Sequence, residues 1–154
     1  MKIYLASDHA AFELKEEVKN YLVQNGCDVE DLGTHSTTAA NWAEYGAKAA
    51  RKVSEDPLNS KGILICGTGI GMSIVANKFK NVRAALCHND FTAEMARKHN
   101  DANILSMGAR VLSRETALKI VEIFLNTGFE GNKTPRYRQR LDYMYEVVEK
   151  NNFK

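Results

Sequence analysis

Short apolar runs alternate along this chain with segments in which apolar residues recur at helical spacing. After an apolar run at residues 3–6, the next apolar residues are Leu14, Val18 and Tyr21, at intervals of four and three. That spacing is typical of one face of an α-helix, and the preceding run is typical of a short strand. The same alternation continues along the chain and predicts five strands, at residues 3–6, 27–32, 62–66, 82–87 and 103–107.

The third run, residues 62–66, is the most continuous, as expected for a strand that is buried on both faces of a parallel sheet. Strands that alternate with helices imply parallel pairing through right-handed crossover connections. The pattern therefore predicts a Rossmann-like, three-layer α/β/α sandwich of about five parallel strands, in a single domain over residues 1–154. A last amphipathic helix, at about 135–150, follows a loop, and we expect it to pack at an interface with a second subunit.

The composition narrows the class of protein. With 154 residues, of which 44% are hydrophobic, the chain is long enough for one domain with its own apolar core. A net charge of +2 gives no electrostatic argument for nucleic acid or a membrane surface as a partner. No apolar run approaches the ~20 residues that span a bilayer, and the N-terminus turns polar too early for a signal peptide. We therefore expect a cytoplasmic protein.

Three cysteines, Cys27, Cys66 and Cys87, occur without C-x-x-C spacing. An odd number without that spacing gives little support for a disulfide framework or a zinc site. We expect reduced thiols, each of them either a small buried apolar group or a reactive site.

Polar residues gather where a parallel sheet places its ligands, beyond the carboxyl ends of the strands. The third strand runs into a loop with glycine at every second position, Gly67, Gly69 and Gly71. Such a loop can turn its amides toward an anionic oxygen beside a helix N-terminus. It matches neither a dinucleotide fingerprint, since the third glycine comes one residue early, nor a Walker A loop. The alternative is a tight strand-to-helix turn with no ligand.

Two positions at strand ends carry groups able to move protons. Cys66 lies between the third strand and the glycine loop, where a helix N-terminus would lower the pKa of its thiol and make it a nucleophile or a base. The alternative for Cys66 is simple packing. Asp8 and His9 follow the first strand, and the alternative for Asp8 is a helix N-cap.

Candidate groups also occur in the second half of the chain. His99 and Asn100 precede the fifth strand, where they could equally end a helix. Arg136 and Arg140 are four residues apart and share a helix face, while Arg138 points away. Two convergent guanidinium groups suit a phosphate, and the alternative is a solvated basic face.

Several of these blocks occur together in one known family. The chain resembles the type B ribose-5-phosphate isomerases, which include the galactose-6-phosphate isomerase subunits, from about Met1 to Glu149. The resemblance rests on Asp8-His9 followed by Leu14-Lys15, on Asp31-Leu32-Gly33-Thr34, on residues 65–73 (ICGTGIGMS), on Ala76-Asn77-Lys78, on residues 99–103 (HNDAN) and on Gly108-Ala109-Arg110.

The resemblance implies interconversion of ribose 5-phosphate and ribulose 5-phosphate through an enediolate, with no metal and no other cofactor. By the same resemblance, Cys66 would be the base, and His99 would open the sugar ring with help from Asp8. The amides of Gly67, Gly69, Ile70 and Gly71, with Thr68, would hold the enediolate as an oxyanion hole does. The phosphate would be bound by His9, Arg110, Arg136 and Arg140, and sugar hydroxyls by Asn100.

The family also implies active sites shared between subunits of a homodimer or homotetramer. One subunit would then contribute His99, Asn100 and Arg110 to the active site of the other.

Residues 41–45 depart from the family, because Asn41-Trp42-Ala43-Glu44-Tyr45 replaces a stretch that contains Asp-Tyr-Pro and should border the sugar. Preference for a pentose or a hexose phosphate is therefore open, as is whether Tyr45 stacks on the sugar or packs. We expect His88 not to touch substrate.

The alternatives to a ribose-5-phosphate isomerase are a galactose- or allose-6-phosphate isomerase and a non-catalytic nucleotide- or flavin-binding module. Retention of both Cys66 and His99 favours an enzyme.

Overall fold

A computed structural model describes residues 1–150 as one parallel sheet with helices on both faces. The five strands lie in the order β2-β1-β3-β5-β4, and every pair in the sheet is parallel. The strands are β1 (Lys2–Ser7), β2 (Asp28–Asp31), β3 (Ser60–Cys66), β4 (Ala84–Leu86) and β5 (Ile104–Gly108). The predicted α/β/α sandwich with five parallel strands is confirmed.

The helices follow the strands in alternation. They are α1 (Phe12–Gln24, after a short 3-10 turn at His9–Ala11), α2 (Trp42–Glu55), α3 (Ile70–Ala76), α4 (Asp90–Lys98), α5 (Arg114–Asn126) and α6 (Pro135–Tyr143). Ser113 caps α5 as its position suggests, because its hydroxyl accepts a hydrogen bond from the Thr116 N–H at 3.2 Å. None of the helices in residues 1–150 is long and apolar enough to cross a membrane.

Strand β4 is shorter than the predicted residues 82–87, because side chains replace the backbone ladder at its start. The Arg83 N–H donates to the Asn103 side chain at 2.8 Å, and the Ala84 N–H donates to the Asn77 side chain at 2.8 Å. Asn77 also donates to the Ala84 carbonyl at 2.9 Å. Two asparagines therefore fix the beginning of this edge strand.

The C-terminal helix also differs from the prediction of one helix over about 135–150. The α-helix ends at Tyr143 and continues as a π-helical turn, Met144–Glu149. The wider turn rotates the later residues, so Val148 is 44% exposed although the α-helical pattern placed it on the apolar stripe. The inner face packs on its own chain through Tyr137 and Leu141, both buried.

The apolar core has two halves, one on each face of the sheet. Alternate side chains of β3 point to opposite faces, so that Ile63 and Ile65 join the half beneath α1 and α5, while Leu64 and Cys66 join the half beneath α2 and α3. Every residue of β3 after Lys61 is buried, as its continuous apolar run predicted.

A buried ion pair joins α1 to the end of β2. Lys15 is fully buried, and its ammonium lies 2.5 Å from the Asp31 carboxylate, which also accepts hydrogen bonds from Lys19 at 3.0 Å and from the Gly33 N–H at 3.0 Å. Burial alone would raise the pKa of Asp31, but these hydrogen bonds outweigh it and lower the pKa below its ordinary value. The pair thereby anchors the loop after β2, whose Gly33 carbonyl accepts from the Ser7 N–H.

We expect Asp31→Asn to lower the free energy of unfolding at pH 7 by about 2 kcal/mol, because the buried Lys15 ammonium loses one of its two carboxylate partners and keeps only Glu16, at 2.8 Å. Since the pKa of Asp31 is lower in the folded state, the stabilisation is present above the unfolded pKa of about 4 and is lost as the pH falls through the folded value. The difference between wild type and variant, measured by urea denaturation, should therefore shrink in acid.

The matched control is Asp28→Asn, which removes the exposed partner of Lys2 and should cost less than about 1 kcal/mol. Equal losses in the two variants, or a difference that does not depend on pH, would contradict this account of the pair.

Candidate active site

Cys66 ends β3 at the centre of the sheet, and the chain then turns through the glycine loop into α3. The thiol is 5% exposed, and its sulfur accepts a hydrogen bond from the Gly69 N–H at 3.1 Å. Gly69 has a φ of 79°, in the left-handed region that side-chain-bearing residues rarely adopt. This backbone conformation directs an amide at the sulfur, so the glycine of the motif is required for the contact.

The loop lies directly against the end of β5, with no room for side chains between the two backbones. A Cβ on Gly69 would lie 2.8 Å from the Met107 carbonyl carbon, and a Cβ on Gly108 would lie 2.7 Å from that of Thr68. The Ser106 hydroxyl donates to the Gly69 carbonyl at 2.6 Å and holds the loop in place. Ser106 therefore supports the glycine loop, although no sequence motif pointed to it.

The amides of the loop are not equally available to a ligand. That of Gly69 is taken by the Cys66 sulfur, and that of Ile70 donates to the Thr68 hydroxyl at 3.3 Å. An oxyanion would therefore be bound by the remaining amides of the loop, beside the Thr68 hydroxyl, rather than by all those that the motif names.

Asp8 and His9 lie beside Cys66, at the end of the neighbouring strand. The Asp8 N–H donates to the Ile65 carbonyl at 3.3 Å, which places Asp8 next to the end of β3. Its carboxylate accepts a hydrogen bond from the Ala10 N–H at 3.0 Å. Asp8 is therefore also a helix N-cap, the alternative role that the sequence suggested. His9 Nδ1 accepts from the Ala40 N–H at 3.1 Å, and the imidazole is thereby held against the loop after β2.

Arg110 also belongs to this group. Its N–H donates to the Gly67 carbonyl at 3.0 Å, and a Cβ on Gly67 would lie 3.5 Å from the Arg110 side chain. The sequence resemblance implied that a second subunit could contribute Arg110 to the site. In this structure Arg110 instead lies beside the glycine loop of its own chain, because the turn after β5 packs on the turn after β3.

The segment that departs from the family borders the same place. The Trp42 ring lies against the start of α3, so that a Cβ on Gly71 would come within 2.9 Å of it. The Tyr45 ring packs against Gly33, with the Lys48 ammonium 4.6 Å above it. Tyr45 therefore packs under the loop after β2, whereas Trp42, which sequence reasoning did not single out, contacts the glycine loop.

The other candidates lie at the opposite end of the sheet. Helix α4 begins beyond the carboxyl end of β4 and runs back over nine residues, about 13 Å, so that His99 lies near the amino ends of the strands. The His99 ring stacks on Tyr137 with centroids 4.4 Å apart, and Arg136 and Arg140 are exposed on α6. One chain therefore does not bring His99, Asn100, Arg136 and Arg140 to Cys66.

Cys87 and His88 have no role in the candidate site, and their contacts are structural. Burial raises the pKa of Cys87 to about 11, so this thiol stays protonated and packs as a small apolar group. The His88 N–H donates to the Thr92 hydroxyl at 3.1 Å at the start of α4, and the His88 side chain is exposed there. Within residues 1–150, no group of three or more His, Cys, Asp or Glu side chains is arranged to hold a metal ion.

Comparison with known proteins identifies the class to which this fold and this loop belong. The model of the Ribose/Galactose Isomerase family matches residues 3–144. The chain is 38% identical to ribose-5-phosphate isomerase B of Escherichia coli over 151 residues, covering 98% of this chain and 99% of the relative. It is also 38% identical over 152 residues to D-erythrulose-4-phosphate isomerase of Pectobacterium atrosepticum, covering 97% of this chain and 98% of the relative.

Solved structures agree with the sequence relatives. Ribose-5-phosphate isomerase B of Clostridium thermocellum has a TM-score of 0.91 at 41% identity, covering 98% of this chain and 99% of that one. The enzyme of Mycoplasma genitalium with bound ribulose-5-phosphate has a TM-score of 0.91 at 35% identity, covering 96% of each chain. The fold is that of the sugar-phosphate isomerases. The chain belongs to the Ribose/Galactose Isomerase family, and the resemblance found in its motifs is confirmed.

We expect Gly69→Ala to lower the free energy of unfolding by about 2–4 kcal/mol, because a side chain there must adopt a left-handed conformation and displace the β5 backbone. Urea denaturation measures the loss. The control is Gly128→Ala, whose Cβ would meet nothing within 4 Å and should change stability by less than about 0.5 kcal/mol. A Gly69→Ala protein as stable as wild type would show that the loop is not held in this way.

Proposed function

We propose that this protein interconverts ribose 5-phosphate and ribulose 5-phosphate, with Cys66 as the base that moves the carbon-bound proton. The observation that carries the proposal is the Cys66 sulfur, which accepts the Gly69 N–H at the mouth of the glycine loop and lies beside Asp8. A thiol at this position, next to the loop amides, is placed to act as the base for an acidic C–H group.

The proposed reaction needs two proton transfers at carbon. Cys66 removes the proton from C2 of the open-chain aldose, and the electrons move to the carbonyl oxygen to give an enediolate. The remaining loop amides and the Thr68 hydroxyl stabilise that oxyanion. A proton passes from the C2 hydroxyl to the C1 oxyanion, and the protonated thiol returns its proton to C1, which gives the ketose and restores Cys66.

Ring opening and phosphate binding require groups from a second copy of the chain. His99 donates a proton to the ring oxygen as its bond to C1 breaks, and Asp8 of the other chain accepts the proton that the C1 hydroxyl loses. Asn100 binds sugar hydroxyls. Arg136 and Arg140 reach the phosphate from α6, while His9 and Arg110 reach it from the chain that carries Cys66. The exposure of both arginines on one helix face supports this role, because neither forms an ion pair within residues 1–150.

The surface beside β4 supports such an assembly. A groove of about 480 Å³ follows this edge strand, lined by residues that include Ala85, Leu86, Met95 and Asn100. Large apolar side chains stand exposed next to it, since Ile70 is 51%, Ile74 is 55% and Phe91 is 68% exposed. Clustered exposed apolar residues are typical of subunit interfaces. A second copy on this face would cover them and complete two active sites by symmetry.

A second substrate class has one specific observation in its favour. Trp42 lies against Gly71 of the loop, where the indole takes up space next to the proposed sugar site. A narrower site would suit a four-carbon sugar phosphate, and one relative is named for D-erythrulose 4-phosphate. Ribose 5-phosphate remains the proposed substrate because both structural relatives reported above are named ribose-5-phosphate isomerase B.

We expect Cys66→Ser to lower kcat by about 100- to 10,000-fold, because a hydroxyl cannot replace a thiolate as base. Binding of ribose 5-phosphate, measured by calorimetry, should change little, since Cys66 does not bind the phosphate. The control is Cys87→Ala, which removes a thiol that stays protonated and should retain the wild-type kcat. Turnover near wild type in Cys66→Ser would rule out Cys66 as the base.

Subunit mixing tests whether the site is shared. Cys66→Ser and His99→Asn should each be almost inactive alone. After dissociation and reassociation in equal amounts, half of the dimers are hybrids with one intact site of two, so about a quarter of the wild-type activity should return.

A mixture of Cys66→Ser with the Cys66→Ser/His99→Asn double variant is the control for mixing, because no pairing of its chains contains an intact site. No recovery in the first mixture, with subunit exchange verified by mass spectrometry of the hybrids, would show that the site is not divided between chains.

A further inference from the structure

A second polar cavity lies at the amino ends of β3, β4 and β5, away from the glycine loop. It has a volume of about 470 Å³, within the range of about 300–1,000 Å³ typical of small-molecule sites. Its charged lining consists of Lys61, Arg83, Arg97 and Arg138 against one carboxylate, Asp101. The cavity therefore carries an excess of three positive charges.

Two of the four cationic side chains, Arg83 and Arg97, already have a carboxylate partner. Arg83 donates to the Asp101 carboxylate at 3.2 Å and to its carbonyl at 2.7 Å. Arg97 donates to the same carboxylate at 2.9 Å and to the Thr127 carbonyl at 3.2 Å. The single carboxylate is thus shared by two guanidinium groups, which it orients toward the same space.

The other two cations have no carboxylate partner. Within residues 1–150, neither Lys61 nor Arg138 forms an ion pair, although Arg138 lies 4.8 Å from the Phe129 ring. Burial, together with the charges of Arg97 and Arg83, lowers the pKa of Lys61 to about 8, although Asp101 opposes the shift. Another carboxylate, Glu149, accepts from the N–H of the lining residue Asn81 at 3.2 Å and does not itself line the cavity.

We propose that this cavity is a binding site for a small multiply charged anion of the phosphate-ester or pyrophosphate class. Guanidinium groups present paired donors that match phosphate oxygens, and the lysine adds a point charge. A bound dianion would supply the charge that the lining lacks. It would also remove the cost of holding Lys61 among other cations.

The cavity is separate from both halves of the proposed active site. Lys61 and Cys66 are five residues apart on one strand, which corresponds to about 16 Å. Arg138, Leu141 and Tyr145 approach the cavity from one side of the C-terminal helix, whereas Arg136 and Arg140 lie on the other side. An anion in the cavity is therefore not the phosphate of the sugar bound at the catalytic loop.

Calorimetric titration with pyrophosphate tests the proposal, at constant ionic strength and with the full chain. The titrations use an Arg136→Ala/Arg140→Ala background, so that the exposed arginines of α6 cannot supply the binding. We expect one pyrophosphate per chain. Adding Lys61→Met or Arg138→Met should weaken the binding by about tenfold or more, the usual effect of losing a charge-assisted hydrogen bond.

The matched control is Lys52→Met in the same background, which removes an equal charge from an exposed position on α2 and should leave the affinity unchanged. Thermal unfolding adds a second measurement, because pyrophosphate should raise the midpoint of the background protein more than that of its Lys61→Met derivative. Lack of binding at millimolar pyrophosphate would overturn the proposal. So would binding that neither cavity variant weakens, or that Lys52→Met weakens equally.

Discussion

The site depends on the close approach of two backbone segments, the glycine loop after β3 and the end of β5. Gly69 and Gly108 meet the opposite backbone at distances that exclude a Cβ, and the Ser106 hydroxyl joins the two segments at 2.6 Å. This contact fixes the left-handed turn at Gly69, and that turn directs an amide at the Cys66 sulfur. The position of Arg110 follows as well, because the turn after β5 packs on Gly67.

The parallel topology explains why one chain carries only half of the proposed chemistry. All strands end at the same edge, which gathers Asp8, Cys66 and Arg110 there. Each helix runs back toward the opposite edge, so the residue that ends α4, His99, lies far from the thiol of its own chain. A symmetric pair of chains resolves this separation, since each loop can meet the partner's α4 end and α6.

Much of the fold could be predicted from the sequence, because five apolar runs alternated with helical patterns. The start of β4 could not, since it depends on the side chains of Asn77 and Asn103, which lie outside the strand and are brought to it by the folded structure. In the site, the thiol and the glycine spacing were visible locally. The contact of Trp42 with Gly71 and the support from Ser106 were not, because both join segments that only the tertiary structure brings together. The cationic cavity is likewise assembled from four separate segments.

The central claim is that this site isomerises a pentose phosphate by proton transfer. The most direct measurement compares the initial rates of the purified, metal-stripped wild-type protein on ribose 5-phosphate, D-erythrulose 4-phosphate, allose 6-phosphate and galactose 6-phosphate. The account predicts the highest kcat/KM for ribose 5-phosphate. A higher value for a four-carbon or six-carbon substrate would contradict it.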